Sequence, residues 1–164
     1  MDPSQNGTPH KPDDPRRVGA VLVTHGQVAV ELLAAAETIV GALANVAAVS
    51  IGWHDDSDTA HALIRSAIER VERGRGVLLL TDMFGGTPTN IAAMFLDDAS
   101  VEVVTGVNLP MLIKFASAAS TESLAQVARR VRDGGRDGIH LAGELLAPQK
   151  PGDRQDAARP DHEA

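Results

Sequence analysis

Residues 18–26 read Val-Gly-Ala-Val-Leu-Val-Thr-His-Gly. An apolar run that ends in a polar turn, with no polar residue alternating inside it, predicts a strand covered on both faces, the first strand of a parallel sheet. His25 then falls at that strand's carboxyl end. Open α/β sheets bind their ligands there, in the crevice where strand order switches direction. The plainer reading of His25 is a residue that caps the strand and meets solvent.

Working outward, residues 28–40 hold strong helix formers and stop at Gly41, which predicts a helix directly after the His25-Gly26 turn. The free N–H groups of its first turn and the positive end of its dipole would favour an anion beside the imidazole. Val46 to Gly52 reads as a second strand. The acidic run after it, with His54, Asp55, Asp56 and Asp58, is read as a turn that caps the next helix rather than a metal site. Ser57 or Asp58 is the expected N-cap, the helix runs from Thr59 to Arg73, and His61 is a surface residue in its first turn.

Val77 to Thr81 is the most apolar strand, and Asp82 follows it in Thr-Asp-Met-Phe-Gly-Gly-Thr-Pro-Thr-Asn, residues 81–90. The two glycines let backbone approach a ligand closely, and Pro88 suits the first turn of a helix with Thr87 as its N-cap. This is an anion-cradling loop without the lysine or spacing of a Walker A motif. The helix is expected to continue through Ile91 to Leu96. Val101 to Thr105 reads as a fourth strand, followed by Gly-Val-Asn-Leu-Pro-Met-Leu at 106–112. Helices are expected over Met111 to Ala119 and Glu122 to Arg132, then a Gly134-Gly135 hinge and a short fifth strand from Gly138 to Ala142, in which His140 is structural. So brief a strand gains most by pairing with a second copy's sheet edge, which predicts a homodimer.

The polar, Pro-containing segments at residues 1–17 and 148–164 lack apolar periodicity and read as disordered flanks around one domain at 18–147. The 164-residue chain carries a net charge of -7 and 2% aromatic residues, which argues against nucleic acid, base stacking and anionic membranes. With no cysteine there is no disulfide or thiolate chemistry. No apolar run approaches the about eighteen residues of a membrane span and no signal peptide precedes the domain, so a cytoplasmic protein is expected. Neither a metal nor a cofactor is expected.

If the second strand lies outside the first and the third inside, His25 and Asp82 come about 5 Å apart at the backbone. A carboxylate that accepts from one imidazole nitrogen fixes the tautomer and leaves the other nitrogen as a nucleophile. Nucleophilic histidine, orienting aspartate and anion loop together suggest transient phosphorylation of His25. Thr24, Gly26, Gly85, Gly86 and Thr87 are the candidate phosphoryl-binding residues, and no Lys or Arg stands in these motifs to clamp phosphate tightly. Met83, Phe84 and Leu109 are candidate docking anchors for partner proteins, with burial in the core as the plainer alternative.

The segments Leu-Val-Thr-His-Gly, Thr-Asp-Met-Phe-Gly-Gly-Thr-Pro-Thr-Asn and Gly-Val-Asn-Leu-Pro-Met-Leu resemble those of the mannose-family enzyme IIA domains of the bacterial phosphotransferase system, in the same order over about residues 18 to 135. The resemblance implies that His25 is the phosphorylated histidine and Asp82 the aspartate paired with it. Thr87 matches a position that carries a Ser hydroxyl near the phosphoryl group in some family members. It also implies a parallel sheet of order 2-1-3-4 with helices on both faces, and an antiparallel fifth strand exchanged in a homodimer. Phosphate would come from the carrier HPr and pass to an enzyme IIB component, with the membrane met only through a permease complex. No IIB domain follows in this sequence and a charged extension precedes the domain, departures that leave the downstream acceptor open. A phosphoryl-donor subunit of a dihydroxyacetone kinase and a regulatory module read by a partner are the alternatives; a flavodoxin-like cofactor binder is disfavoured by the scarcity of aromatics.

Overall fold

The computed structural model describes residues 16–52 and 56–146. The polar flanks before and after these residues, and His54 and Asp55 of the acidic turn for which a metal site is the disfavoured reading, lie outside the described residues. β1 (Gly19–His25) is followed by α1 (Val28–Val40), β2 (Val46–Ile51), α2 (Ser57–Val71) and β3 (Val77–Thr81). Then come α3 (Thr87–Ala93), β4 (Val101–Thr105), α4 (Leu109–Ala116), α5 (Leu124–Asp137) and the short α6 (Ala142–Leu146).

All the strand pairings are parallel and the order is β2-β1-β3-β4. The sheet is the one the apolar runs predict: β3 is buried along its whole length and β1 along all but its last residue. Alternate side chains go to opposite faces. Val21, Val23, Val77 and Leu79 pack under α2 and α3, whereas Ala20, Leu22, Leu78 and Leu80 pack under α1, α4 and α5. Each fully buried Leu of β3 contributes about 1.5–3 kcal/mol relative to exposure, so the two central strands are the rigid platform for whatever their ends carry.

Several boundaries differ from the sequence expectation. α2 starts at Ser57 because Asp56, not Ser57 or Asp58, is the N-cap: its Oδ1 accepts the Thr59 N–H at 2.8 Å. α3 is capped by Gly86, so Thr87 is its first helical residue, and it ends at Ala93 instead of reaching Leu96. α4 begins before Met111 because the Asn108 side chain accepts the Met111 N–H at 3.1 Å. α5 starts at a Ser123/Gln126 capping box and runs straight through Gly134-Gly135. These glycines are contact points rather than a hinge: a Cβ on either would collide with the side chain of Lys114 or Met111 on α4. Among the described residues the expected fifth strand does not form over Gly138 to Ala142. Residues 138–141 are irregular and lead into α6, with Ile139, Leu141, Leu145 and Leu146 exposed. A segment this short forms a strand only against an edge, and α5 extends past the point where the chain would have turned back to one.

Candidate active site at the carboxyl ends of β1 and β3

The switch in strand order falls between β1 and β3, since β2 lies on one side of β1 and β3 on the other. His25 is the last residue of β1, and Asp82 is the first residue beyond β3. Parallel pairing, in register from Gly19↔Val77 to Val23↔Thr81, delivers the two to the same rim. Asp82 Oδ2 accepts two hydrogen bonds, from the backbone N–H of His25 at 2.9 Å and from the ring Nδ1 at 2.8 Å. Asp82 Oδ1 accepts the Met83 N–H at 3.0 Å.

The side chains are half-buried, His25 at 35% and Asp82 at 19% exposure. Burial pushes the Asp82 carboxyl up, but the hydrogen bonds from the His25 backbone and ring, the attraction of His25 and the Met83 N–H outweigh it, and the group settles below the usual carboxylate value. Asp82 is therefore ionised and an acceptor only, so Nδ1 must carry the proton. In the neutral ring the lone pair is then on Nε2, the nitrogen opposite the carboxylate. A fixed nucleophilic nitrogen with a negative charge across the ring is what the arrangement supplies.

The turn into α1 is built by Thr24 and Gly26. Thr24 is fully buried, and its hydroxyl accepts the Ala29 N–H at 2.7 Å, so it holds the first turn of α1 and does not open onto the rim. Gly26 has φ 50 and gives its own N–H to the Ile51 carbonyl at 3.1 Å. Through these groups both residues position His25.

On the other side, Gly85 takes φ 82, a left-handed conformation that favours glycine, and Gly86 lies against the ring. A Cβ at Gly86 would stand 2.9 Å from His25 Cε1 and 3.4 Å from Nε2, so only glycine lets this backbone sit beside the reactive edge. Thr87 is exposed at the start of α3. Met83 and Phe84 are exposed at 55% and 82%, which removes the core reading for both. Leu109 packs, partly buried, on the core under α1, α4 and α5.

Other residues fall away from this rim. His61 is not a free surface residue: its ring stacks on Phe95, centroids 4.4 Å apart, with the Arg65 guanidinium 5.6 Å from the same ring. His140, expected to be structural, is exposed. Reading by sequence missed Thr81 and Thr89, whose buried hydroxyls meet at 2.7 Å beneath the Asp82 loop. A polar residue ending an otherwise apolar strand, with a Thr-Pro-Thr run that places Thr89 eight residues on, was the available signal.

The family model for the phosphotransferase-system fructose IIA component, EIIA-man, matches residues 19–132. The mannose-specific EIIAB component of Escherichia coli K12 is 30% identical over 74% of this chain, and the chain spans 38% of that protein's length. The sorbose-specific EIIA component of Lacticaseibacillus casei is 32% identical over 65% of this chain and 78% of its own. Among solved structures, the mannose/sorbose specific IIA subunit from Enterococcus faecalis superposes with a TM-score of 0.68 at 31% identity, over 76% of this chain and 94% of that one. With the His25–Asp82 pair at the switch point of a 2-1-3-4 sheet and the match covering both strand ends, the chain belongs to the EIIA-man family of phosphotransferase-system IIA components.

Proposed function

We propose that the chain is a phosphocarrier of the sugar phosphotransferase system, in which His25 takes a phosphoryl group from phosphorylated HPr and passes it to an enzyme IIB component. The observation that carries this reading is the Asp82 carboxylate on Nδ1 of His25. The Nε2 lone pair attacks the phosphorus, the new N–P bond forms, and the bond to the donor imidazole breaks with its electron pair returning to that ring. Positive charge develops on the His25 ring during attack, and Asp82 stabilises it across the Nδ1–H. Transfer onward is the same displacement with His25 as leaving group.

Reversible relay requires a phosphohistidine held only moderately. The backbone of Gly85 and Gly86 and the exposed Thr87 hydroxyl supply neutral contacts, and none of the three motifs around the rim contains Lys or Arg. The apolar surface of Met83 and Phe84 beside the pair fits docking of two partners in turn. The exposed Ile139, Leu141, Leu145 and Leu146 mark where a homodimer contact would fall. Incubation with phosphoenolpyruvate, enzyme I and HPr should give one acid-labile phosphate per chain; no uptake under conditions that charge HPr overturns the reading.

Two variants probe the rim. Gly86 has φ -82 and ψ 166, which alanine adopts freely, so Gly86→Ala should fold normally. Its added methyl displaces the imidazole, and transfer from phosphorylated HPr should fall by about 10- to 100-fold, as for an angstrom-scale misplacement of a reacting group. Phe84→Ala should keep the thermal midpoint, because the ring is exposed, and raise the HPr concentration needed for half-maximal transfer. A large loss of stability with normal transfer per folded molecule would return Phe84 to a packing role.

A further inference from the structure

We propose that Thr89 and Thr81 form a one-way hydroxyl relay that positions Asp82 for the reaction of His25, an inference that rests on the phosphocarrier reading above. Thr81 is fully buried and Thr89 is 6% exposed, and their Oγ1 atoms lie 2.7 Å apart. The Thr89 hydroxyl also donates to the Met83 carbonyl. A hydroxyl has a single proton. Since that of Thr89 goes to Met83, Thr81 must be the donor in the shared contact, and the direction of the chain is set: Thr81 to Thr89 to Met83.

The relay's ends flank Asp82, because Thr81 precedes it and Met83 follows it. On the Thr81 side the backbone is already held, its carbonyl accepting from Gly106 at 2.8 Å and Val107 at 2.9 Å. On the Met83 side the chain enters the Phe84-Gly85-Gly86 loop, where glycine imposes little restraint. Thr89 is the group that fixes it. Met83 in turn donates its N–H to Asp82 Oδ1, and that bond orients the carboxylate so that Oδ2 faces His25. Thr89 thus acts on the imidazole through Met83 and Asp82, without touching substrate, as a positioning residue.

Removing the Thr89 hydroxyl takes the donor from the Met83 carbonyl and leaves the buried Thr81 hydroxyl unpaired, and an unpaired buried polar group drives local rearrangement. The Met83–Phe84 peptide then turns to find another donor, the compensating rotation at Met83 tilts the Asp82–Met83 peptide so that its N–H leaves Oδ1, and the carboxylate rotates away from Nδ1. Transfer should slow but persist, since both reacting groups remain.

The test uses the full chain with three variants: Thr89→Val, Thr89→Ser and the double variant Thr81→Val with Thr89→Val. Transfer rate from phosphorylated HPr is measured alongside the His25 tautomer by nitrogen NMR and stability by urea denaturation. Thr89→Val should slow transfer about 10- to 100-fold and shift His25 from a pure Nδ1–H form towards a mixture. Thr89→Ser should restore both. The double variant leaves no orphaned hydroxyl, which secures folding, yet lacks the bond to Met83 and should also be slow with a mixed tautomer. A folded Thr89→Val or double variant with wild-type rate and tautomer overturns the relay, as does slowing that serine does not rescue. If the wild-type protein itself accepts no phosphate, the phosphocarrier reading fails, and the tautomer measurement still decides whether Thr89 positions Asp82.

Discussion

His25→Ala is expected to yield a folded protein that takes up no phosphate from phosphorylated HPr. The ring lies at the end of β1, half-buried, and the burial of that strand rests on Ala20 to Thr24, which the substitution leaves in place. Asp82 keeps its bond from the residue-25 backbone N–H, which alanine supplies equally well. The fold and the carboxylate's position therefore survive while the nucleophile is gone, and no neighbouring side chain can replace it. Acid-labile label should fall to background with the thermal midpoint close to wild type. His61→Ala and His140→Ala should label normally, the first with some loss of stability because its ring stacks on Phe95. Labelling that persists in His25→Ala would sink the mechanism.

The elements legible in the sequence are those whose signal is local and one-sided. β1, β3 and β4 are apolar runs next to turn residues, and α1 ends where Gly41 takes φ 84. The pairing of His25 with Asp82 was also readable, because an order with β2 and β3 on opposite sides of β1 puts both strand ends at the switch point, and the structure joins them through Oδ2. The features that escaped depend on what lies across the fold. Gly134-Gly135 looks like a breaker until Lys114 and Met111 press against the helix there. Thr24 looks like a rim hydroxyl until Ala29 claims it, and Thr89 looks like an ordinary first-turn residue until Thr81 and Met83 come within reach. In each case the missing information is a partner distant in sequence or hidden behind a turn, which propensity does not encode.

Asp82→Asn changes almost no volume, yet the hydrogen bonds dictate a large effect. The carboxylate receives donors on both oxygens: Met83 N–H on Oδ1, and the His25 N–H and ring Nδ1–H on Oδ2. Asparagine has one oxygen. With it at the Oδ2 position, the amide NH2 opposes the Met83 N–H. With it at the Oδ1 position, the NH2 opposes the His25 backbone and forces Nδ1 to become an acceptor, which moves the ring proton to Nε2 and removes the attacking lone pair. Neither arrangement retains the negative charge that stabilises the ring in transfer. A loss of about 10²- to 10⁴-fold in transfer rate is expected, by comparison with loss of the orienting aspartate in hydrolase triads. The pH dependence of stability gives a second measurement. The folded carboxyl lies below its ordinary value of 3.8, so its contribution is complete above that value and is lost as pH falls through the lowered folded pKa. The stability gap between wild type and Asp82→Asn should therefore be widest near neutrality and shrink in acid, as read by urea denaturation across the carboxylate range. A variant that transfers at the wild-type rate, with a stability gap that does not change with pH, would show that Asp82 neither orients His25 nor owes its ionisation to it.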